Sequence, residues 1–249
     1  MKAAIIIPAR YASSRFPGKP LAMIAGQSLV ERVYRRAAQC RAADAVYVAT
    51  DDARIFEHVT SFDGNVVHTG EATTGTDRVA MALDEIERLD DVRFDQIINV
   101  QGDEPLVEID SLERMIRTLQ AEPVDIVTLA CPLASEEEFR SPDVVKVVTD
   151  GSGNALYFSR SPIPSAFGPE ARRHVGLYGF QASVLRKFAA LKPSPLERNE
   201  RLEQLRALEN GYTIRVLETT APHLGVDRPE DVARVEDELS RVHSETTEQ

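Results

Sequence analysis

The chain has 249 residues, 43% of them hydrophobic, enough to fill one large domain or a domain with an elaborated insertion. Its 29 basic and 40 acidic side chains give a formal net charge of −11, which argues against a broad surface for nucleic acid or membrane. No apolar run approaches the roughly 20 residues of a membrane span and the apolar N-terminal stretch is too short for a secretory leader, while Cys40 and Cys131 read as buried thiols and not as a disulfide or zinc framework, so a cytoplasmic protein is expected.

Charge is unevenly placed. Met1 through Val30 holds Lys2, Arg10, Arg15 and Lys19 and no acidic residue, so an acidic protein gathers cations near its first apolar run, as a local anion site would require. In chain order, strands are expected at 3–7, 45–49, 65–68, 96–100, 126–130, 144–148, 155–159, 174–180 and 214–217. Between them a helix starts at Ser28, a plausible N-cap, with Leu29, Val33, Tyr34 and Ala37 on one stripe, and another starts near Thr76 with Val79, Leu83 and Ile86 buried. Further helices are expected over 110–120, 183–191, 195–209 and 228–239.

The early order βαβαβαβ predicts an α/β fold with a Rossmann-like, mainly parallel sheet and its ligand-binding loops at the carboxyl edge. The stretch from Asp143 to Phe180 breaks that rhythm. Two strand-like runs flank the turn Asp150-Gly151-Ser152-Gly153, and a Pro-rich segment follows, so a β-rich excursion is expected there, suited to covering a site or joining two subunits.

Four segments carry chemistry. Pro8-Ala9-Arg10-Tyr11-Ala12-Ser13-Ser14-Arg15-Phe16-Pro17-Gly18-Lys19-Pro20 follows the first strand, and such a loop can cradle a triphosphate with its N–H groups and cations; it is also compatible with a plain basic surface loop. It is not a Walker A loop, because Pro20 stands where Ser or Thr is required. Gln101-Gly102-Asp103-Glu104-Pro105 is an acidic strand-end turn able to hold Mg²⁺ or simply to cap a turn. Gly225-Val226-Asp227-Arg228-Pro229-Glu230-Asp231 reads as a helix start, with Asp227 either a cap or a metal ligand. His174 and Tyr178 lie four apart on a strand and so share a face.

The spacing of the first segment strongly resembles the N-terminal signature of the cytidylyltransferases of 3-deoxy-manno-octulosonate (Kdo), Pro-Ala-Arg-Tyr-x-Ser-x-Arg-x-Pro-Gly-Lys-Pro. Gln101–Pro105, the Gly75-Thr76-Asp77-Arg78 loop, Val226–Asp231 and the run Leu202-Glu203-Gln204-Leu205-Arg206 resemble the same family's motifs in the same order. The resemblance implies a single nucleotidyltransferase-type domain over 1–249, with a nucleotide half at about 1–130 and a sugar-binding and dimer excursion at about 143–190. It implies transfer of CMP from CTP to the anomeric hydroxyl of Kdo, forming CMP-Kdo and pyrophosphate for lipopolysaccharide biosynthesis.

Residue by residue, it implies that Arg10, Ser13, Arg15 and Lys19 surround the CTP phosphates and that Thr74, Gly75, Arg78 and Gln101 line the nucleotide. Asp103 and Asp227 would hold Mg²⁺, while Gln101, Arg160, His174, Tyr178, Glu203 and Gln204 would bind the sugar. Arg15, Lys19, Asp103 and Asp227 would carry catalysis, and a homodimer is implied. The chain departs from the family at Thr74, where Ser is usual. Two other readings stay open: a cytidylyltransferase for another acidic sugar, such as an 8-amino Kdo analogue, and a nucleotide-sensing module without turnover.

Overall fold

A computed structural model describes residues 1–12, 15–220 and 224–247, with side chains to Arg241. It resolves into two compact units, one of residues 4–93, 99–109 and 222–249 and the other of residues 1–3, 94–98 and 110–221. No described helix is long and apolar enough to cross a membrane.

The first unit begins with β1 (Ala3–Pro8), whose residues Ala4 to Ile7 are completely buried, the continuous apolar run of a strand covered on both faces. A two-strand ribbon, β2 (Met23–Ile24) and β3 (Gln27–Ser28), leads into α1 (Leu29–Ala37), where the Ser28 hydroxyl accepts from the Glu31 N–H as the sequence suggests. Strand β4 (Ala45–Thr50) pairs parallel with β1, Ile5 facing Val46, and β5 (Val66–His68) pairs parallel with β4. Between them α2 (Ala53–Ser61), which the sequence reading passed over, is capped by Asp52 and buries Ile55 and Val59.

Helix α3 (Gly75–Asp90) opens one residue earlier than expected. Thr74 is the N-cap, its hydroxyl accepting from the Asp77 N–H while the Asp77 carboxylate accepts from the Thr74 N–H. Thr76 lies inside the first turn and is buried. This reciprocal box stabilises the helix start by about 1 kcal/mol.

Strand β6 (Gln96–Asn99) follows, and the second unit continues with α4 (Ile109–Ala121), β7 (Ile126–Pro132) and α5 (Glu136–Arg140). The expected excursion is present as β8 (Lys146–Thr149) and β9 (Ala155–Ser159), an antiparallel hairpin whose turn is tied by the Asp150 carboxylate accepting from the Ser152 and Asn154 N–H groups. The long β10 (Arg172–Gln181) runs antiparallel to β7 and β8, with a bulge between Val175 and Tyr178.

After α6 (Ala182–Ala189) the single helix expected over 195–209 is two, α7 (Pro195–Glu200) and α8 (Gln204–Glu209). Arg201 ends α7 in the left-handed region at φ 56°, which stops the helical ladder, and Arg206 clasps Glu197 across the break at 2.7 Å. Strand β11 (Ile214–Glu218) pairs parallel with β7. The chain then returns to the first unit in α9 (Glu230–Thr247), where the Glu236 carboxylate accepts from the Ala25 N–H at 2.7 Å. The α/β class with a β-rich excursion is therefore as expected. Of the two thiols, Cys40 is buried and Cys131 only partly so, a correction to the expectation that both are buried.

Candidate active site

The first unit contains a cavity of about 240 Å³ whose lining includes Arg10, Arg15, Lys19, Thr74, Asp103 and Asp227. Its floor follows from β1. The strand ends at Pro8, the chain turns away, and Gly18 at φ 73° closes the loop by donating its N–H to the Tyr11 carbonyl at 3.0 Å. A side chain at position 18 would be strained by that φ and would meet the Tyr11 ring at 3.1 Å, so glycine is required there. Lys19 then opens a short 3₁₀ turn, and Tyr11 lies under the Arg54 guanidinium, itself held by Asp52.

The opposite wall is the turn after β6. A methyl at Gly102 would lie 2.8 Å from the Pro8 carbonyl oxygen, so only glycine lets this turn approach the end of β1. The next residue, Asp103, accepts the Val226 N–H at its main-chain oxygen, 2.9 Å away. That one bond brings the segment before α9 alongside the turn, and carboxylates from positions 103 and 227 meet one ammonium.

Lys19 Nζ stands 2.8 Å from Asp103 Oδ2 and 3.6 Å from Asp227 Oδ1, and Arg15 Nη2 is 3.2 Å from Asp227 Oδ1. The cap reading of Asp227 does not describe this geometry. The Asp231 carboxylate takes the N–H groups of Asp227 and Arg228, both at 2.9 Å, leaving the Asp227 carboxylate in the cavity. Arg15 and Asp227 are more than half exposed, so their pairing stabilises the fold little and a ligand can displace it.

Around this centre Gly75 sits at the start of α3 near the Gln101 amide oxygen, which an added methyl would meet at 3.6 Å. Gln101 donates to the Asn99 side chain at 3.3 Å. Arg78 also borders the cavity, but its guanidinium is buried and bound to Thr69 at 2.6 Å and Asp51 at 2.7 Å. Arg10 is exposed at the rim. Ser13 lies outside the described residues.

Of the residues expected at the sugar, Gln101 lines the cavity of the first unit, while Arg160, His174, Tyr178, Glu203 and Gln204 lie in the second. His174 and Tyr178 keep their neighbourhood despite the bulge, with ring centroids 5.5 Å apart. The Thr128 hydroxyl faces the Leu177 carbonyl at 2.8 Å and His174 Nε2 at 2.9 Å. Its single proton goes to the carbonyl, so the network assigns the proton of a neutral His174 to Nε2 and leaves Nδ1 an acceptor. Burial pushes the His174 pKa from 6.5 down to about 3. Burial, aided by the Glu203 carboxylate, raises that of Tyr178 and keeps its phenol protonated. Glu203 stands 3.7 Å from Arg206, and the buried Gln204 Nε2 has no hydrogen-bond partner among the described residues. Such an orphan amide costs about 1–3 kcal/mol, which a polar ligand can recover.

The His174 shift has a measurable sign. Below pH 6.5 the unfolded ring binds a proton that the folded one refuses until about pH 3, so stability is lost as pH falls through that window. The slope attributable to this one group approaches 1.4 kcal/mol per pH unit. Urea unfolding at pH 7, 6 and 5 should show His174→Gln flattening the loss; an equally steep loss in the variant would mean the ring is not held neutral.

Arg160 directly follows β9, with Nε donating to the Glu200 main-chain oxygen and Nη1 to the Pro142 oxygen, each at 3.0 Å. Two neighbours of Arg160 escaped the sequence reading. In the sequence Glu200 is one charged residue within the helix expected over 195–209, and Lys146, wholly buried, is a lone cation inside the apolar run 144–148.

Comparison with known proteins adds a family. The sequence profile described as cytidylyltransferase matches residues 4–215. A 3-deoxy-manno-octulosonate cytidylyltransferase of Syntrophotalea carbinolica is 50% identical, covering 96% of this chain and 99% of that one. One of Geobacter metallireducens is 46% identical, covering 97% and 99%. A solved structure of CMP:2-keto-3-deoxy-manno-octonic acid synthetase complexed with CTP superposes with a TM-score of 0.89 at 39% identity, covering 97% of this chain and 99% of that one.

Proposed function

The chain belongs to the 3-deoxy-manno-octulosonate cytidylyltransferase family, and from that premise we propose how its residues perform the transfer of CMP from CTP to Kdo. It is a nucleotidyltransferase. The observation that carries the residue assignment is the meeting of Lys19, Arg15, Asp103 and Asp227 in one cavity of the first unit.

In this reading the anomeric hydroxyl of Kdo attacks the α-phosphorus of CTP and pyrophosphate leaves. Such a displacement needs alignment and charge neutralisation more than a covalent intermediate. Lys19 and Arg15 turn from the carboxylates to the triphosphate and stabilise the charge that collects on the leaving group. Arg10 extends the same positive rim. Thr74 and Gly75 at the α3 start, with Arg78 and Gln101, bound the nucleotide, and Gly75 leaves room beside Gln101. In the second unit, His174 offers an acceptor at Nδ1, Tyr178 a protonated phenol and Gln204 an unspent amide, a set matched to sugar hydroxyls. Glu203 adds an acceptor and Arg160 a cation for the acid.

Two carboxylates, at Asp103 and Asp227, fit Mg²⁺, which takes oxygen ligands and is commonly bound by one or two carboxylates plus substrate phosphates. When bound, Mg²⁺ would polarise the α-phosphate and favour ionisation of the sugar hydroxyl. The described residues contain no cluster of three or more His, Cys, Asp or Glu able to hold a metal.

We extend the reading to a cytoplasmic homodimer whose product serves lipopolysaccharide assembly. Leu156 and Phe167, 61% and 42% exposed on the excursion, supply apolar surface for a second copy. Pyrophosphate release with Kdo should be supported by CTP far better than by UTP, ATP or GTP, and Kdo should exceed its 8-amino analogue as acceptor. Light scattering of the same preparation should give twice the chain mass. Preference for another nucleotide, release with no acid sugar, or a single-chain mass would remove the corresponding part of the reading.

A further inference from the structure

We propose that Lys146 and Glu200 are positioning residues that hold Arg160 ready for the acidic sugar, an inference resting on the reading that Arg160 binds that sugar.

Lys146 is 0% exposed, and a buried ammonium is costly unless its protons are satisfied. Here the three acceptors are main-chain carbonyls: Ser141 at 2.8 Å, Val144 at 2.6 Å and Arg160 itself at 2.5 Å. Ser141 and Val144 bracket Pro142, whose carbonyl takes Arg160 Nη1 at 3.0 Å. One ammonium therefore fixes both the main chain that carries the guanidinium and the loop against which it leans.

Glu200 closes the other side. Its Oε2 accepts the Arg160 N–H at 2.9 Å, its Oε1 accepts the Ser159 hydroxyl at 2.8 Å, and its main-chain oxygen takes Arg160 Nε at 3.0 Å. The guanidinium is thus held through Nε and Nη1, and Nη2 has no partner among the described residues. Charge points the same way. Lys146 and Arg160 carry two positive charges against one on Glu200, and these are also the groups whose fields reach Lys146. The cluster lacks one negative charge, which a sugar carboxylate supplies and a neutral sugar does not.

A residue that merely supports the fold would lower stability without separating the substrates. Lys146→Met, which keeps the chain length and removes the charge, should raise KM for Kdo about tenfold or more and leave KM for CTP within about twofold, because a misplaced guanidinium weakens one substrate only. In an Arg160→Ala background the same change should add less than about twofold, since the two act as one unit. Glu200→Ala should show the same split, and it carries the test should Lys146→Met fail to fold. Equal changes in both KM values, or a lowered melting temperature with unchanged kinetics, overturns the proposal. If Arg160→Ala raises KM for Kdo while Lys146→Met and Glu200→Ala do not, the sugar assignment of Arg160 stands and the positioning role falls. If Arg160→Ala leaves KM for Kdo unchanged, both fall.

Discussion

Asp227→Asn should lower kcat/KM at limiting Mg²⁺ by on the order of a hundredfold while leaving the protein folded. The carboxylate contributes little to stability where it stands, half exposed and facing Lys19 and Arg15. Asp103→Asn should behave alike, and the double variant should lose far less than the product of the single losses, as expected of residues that share one task. Excess Mg²⁺ should partly rescue either single variant, because the remaining carboxylate and the phosphates still offer oxygen ligands.

From sequence alone one would also expect a small gain of stability, on the argument that two nearby carboxylates repel without metal. The Lys19 ammonium lies within 4.0 Å of both and Arg15 pairs with Asp227, so two cations balance the two carboxylates and that gain is not expected. Normal turnover of Asp227→Asn at limiting Mg²⁺ would remove the two-carboxylate site.

Lys19→Ala should cost on the order of a hundred- to a thousandfold in kcat/KM for CTP, the scale of a lost donor to developing charge. Its unfolding midpoint in urea should stay close to the parent's, since Lys19 donates within a part-open cavity and packs no core. A second measurement reads the same residue differently. Without the ammonium, Asp103 loses its 2.8 Å partner and Asp227 keeps only the exposed Arg15, so titration calorimetry with MgCl₂ alone should show tighter uptake than in the parent. Unchanged CTP kinetics would end the phosphate assignment whatever the calorimetry gave.

Much of this architecture is readable in the chain because local signals agree. The apolar run at β1, the Ser28 cap and the Asp150 turn each name their element without help from distant residues. The misses share a cause. Helix α2 is only nine residues long, with Ile55 and Val59 as its buried side chains, so its stripe is too thin to stand out. The break at Arg201 depends on a left-handed conformation that nothing in Glu200-Arg201-Leu202 advertises. Thr74 and Thr76 are equally good caps on paper, and Asp77, three residues after Thr74, decides between them.

At the site, residue types were readable and their meeting was not. The approach of Asp227 to Asp103 depends on the Val226 N–H reaching a carbonyl 123 positions earlier, a tertiary fact with no local trace. Lys146 shows the converse. Its burial contradicts what a lysine in isolation suggests, because two carbonyls of the loop before β8 and one just after β9 satisfy it only after folding.

Gly102 limits what redesign of this enzyme can change. The 2.8 Å between its missing methyl and the Pro8 oxygen sets the spacing between the basic loop and the acidic turn. Any library seeking a new nucleotide preference must leave position 102 as glycine and draw its diversity from neighbours such as Gln101 and Thr74. At those two positions side chains already exist, and exchanging them changes the cavity wall without forcing its two sides apart.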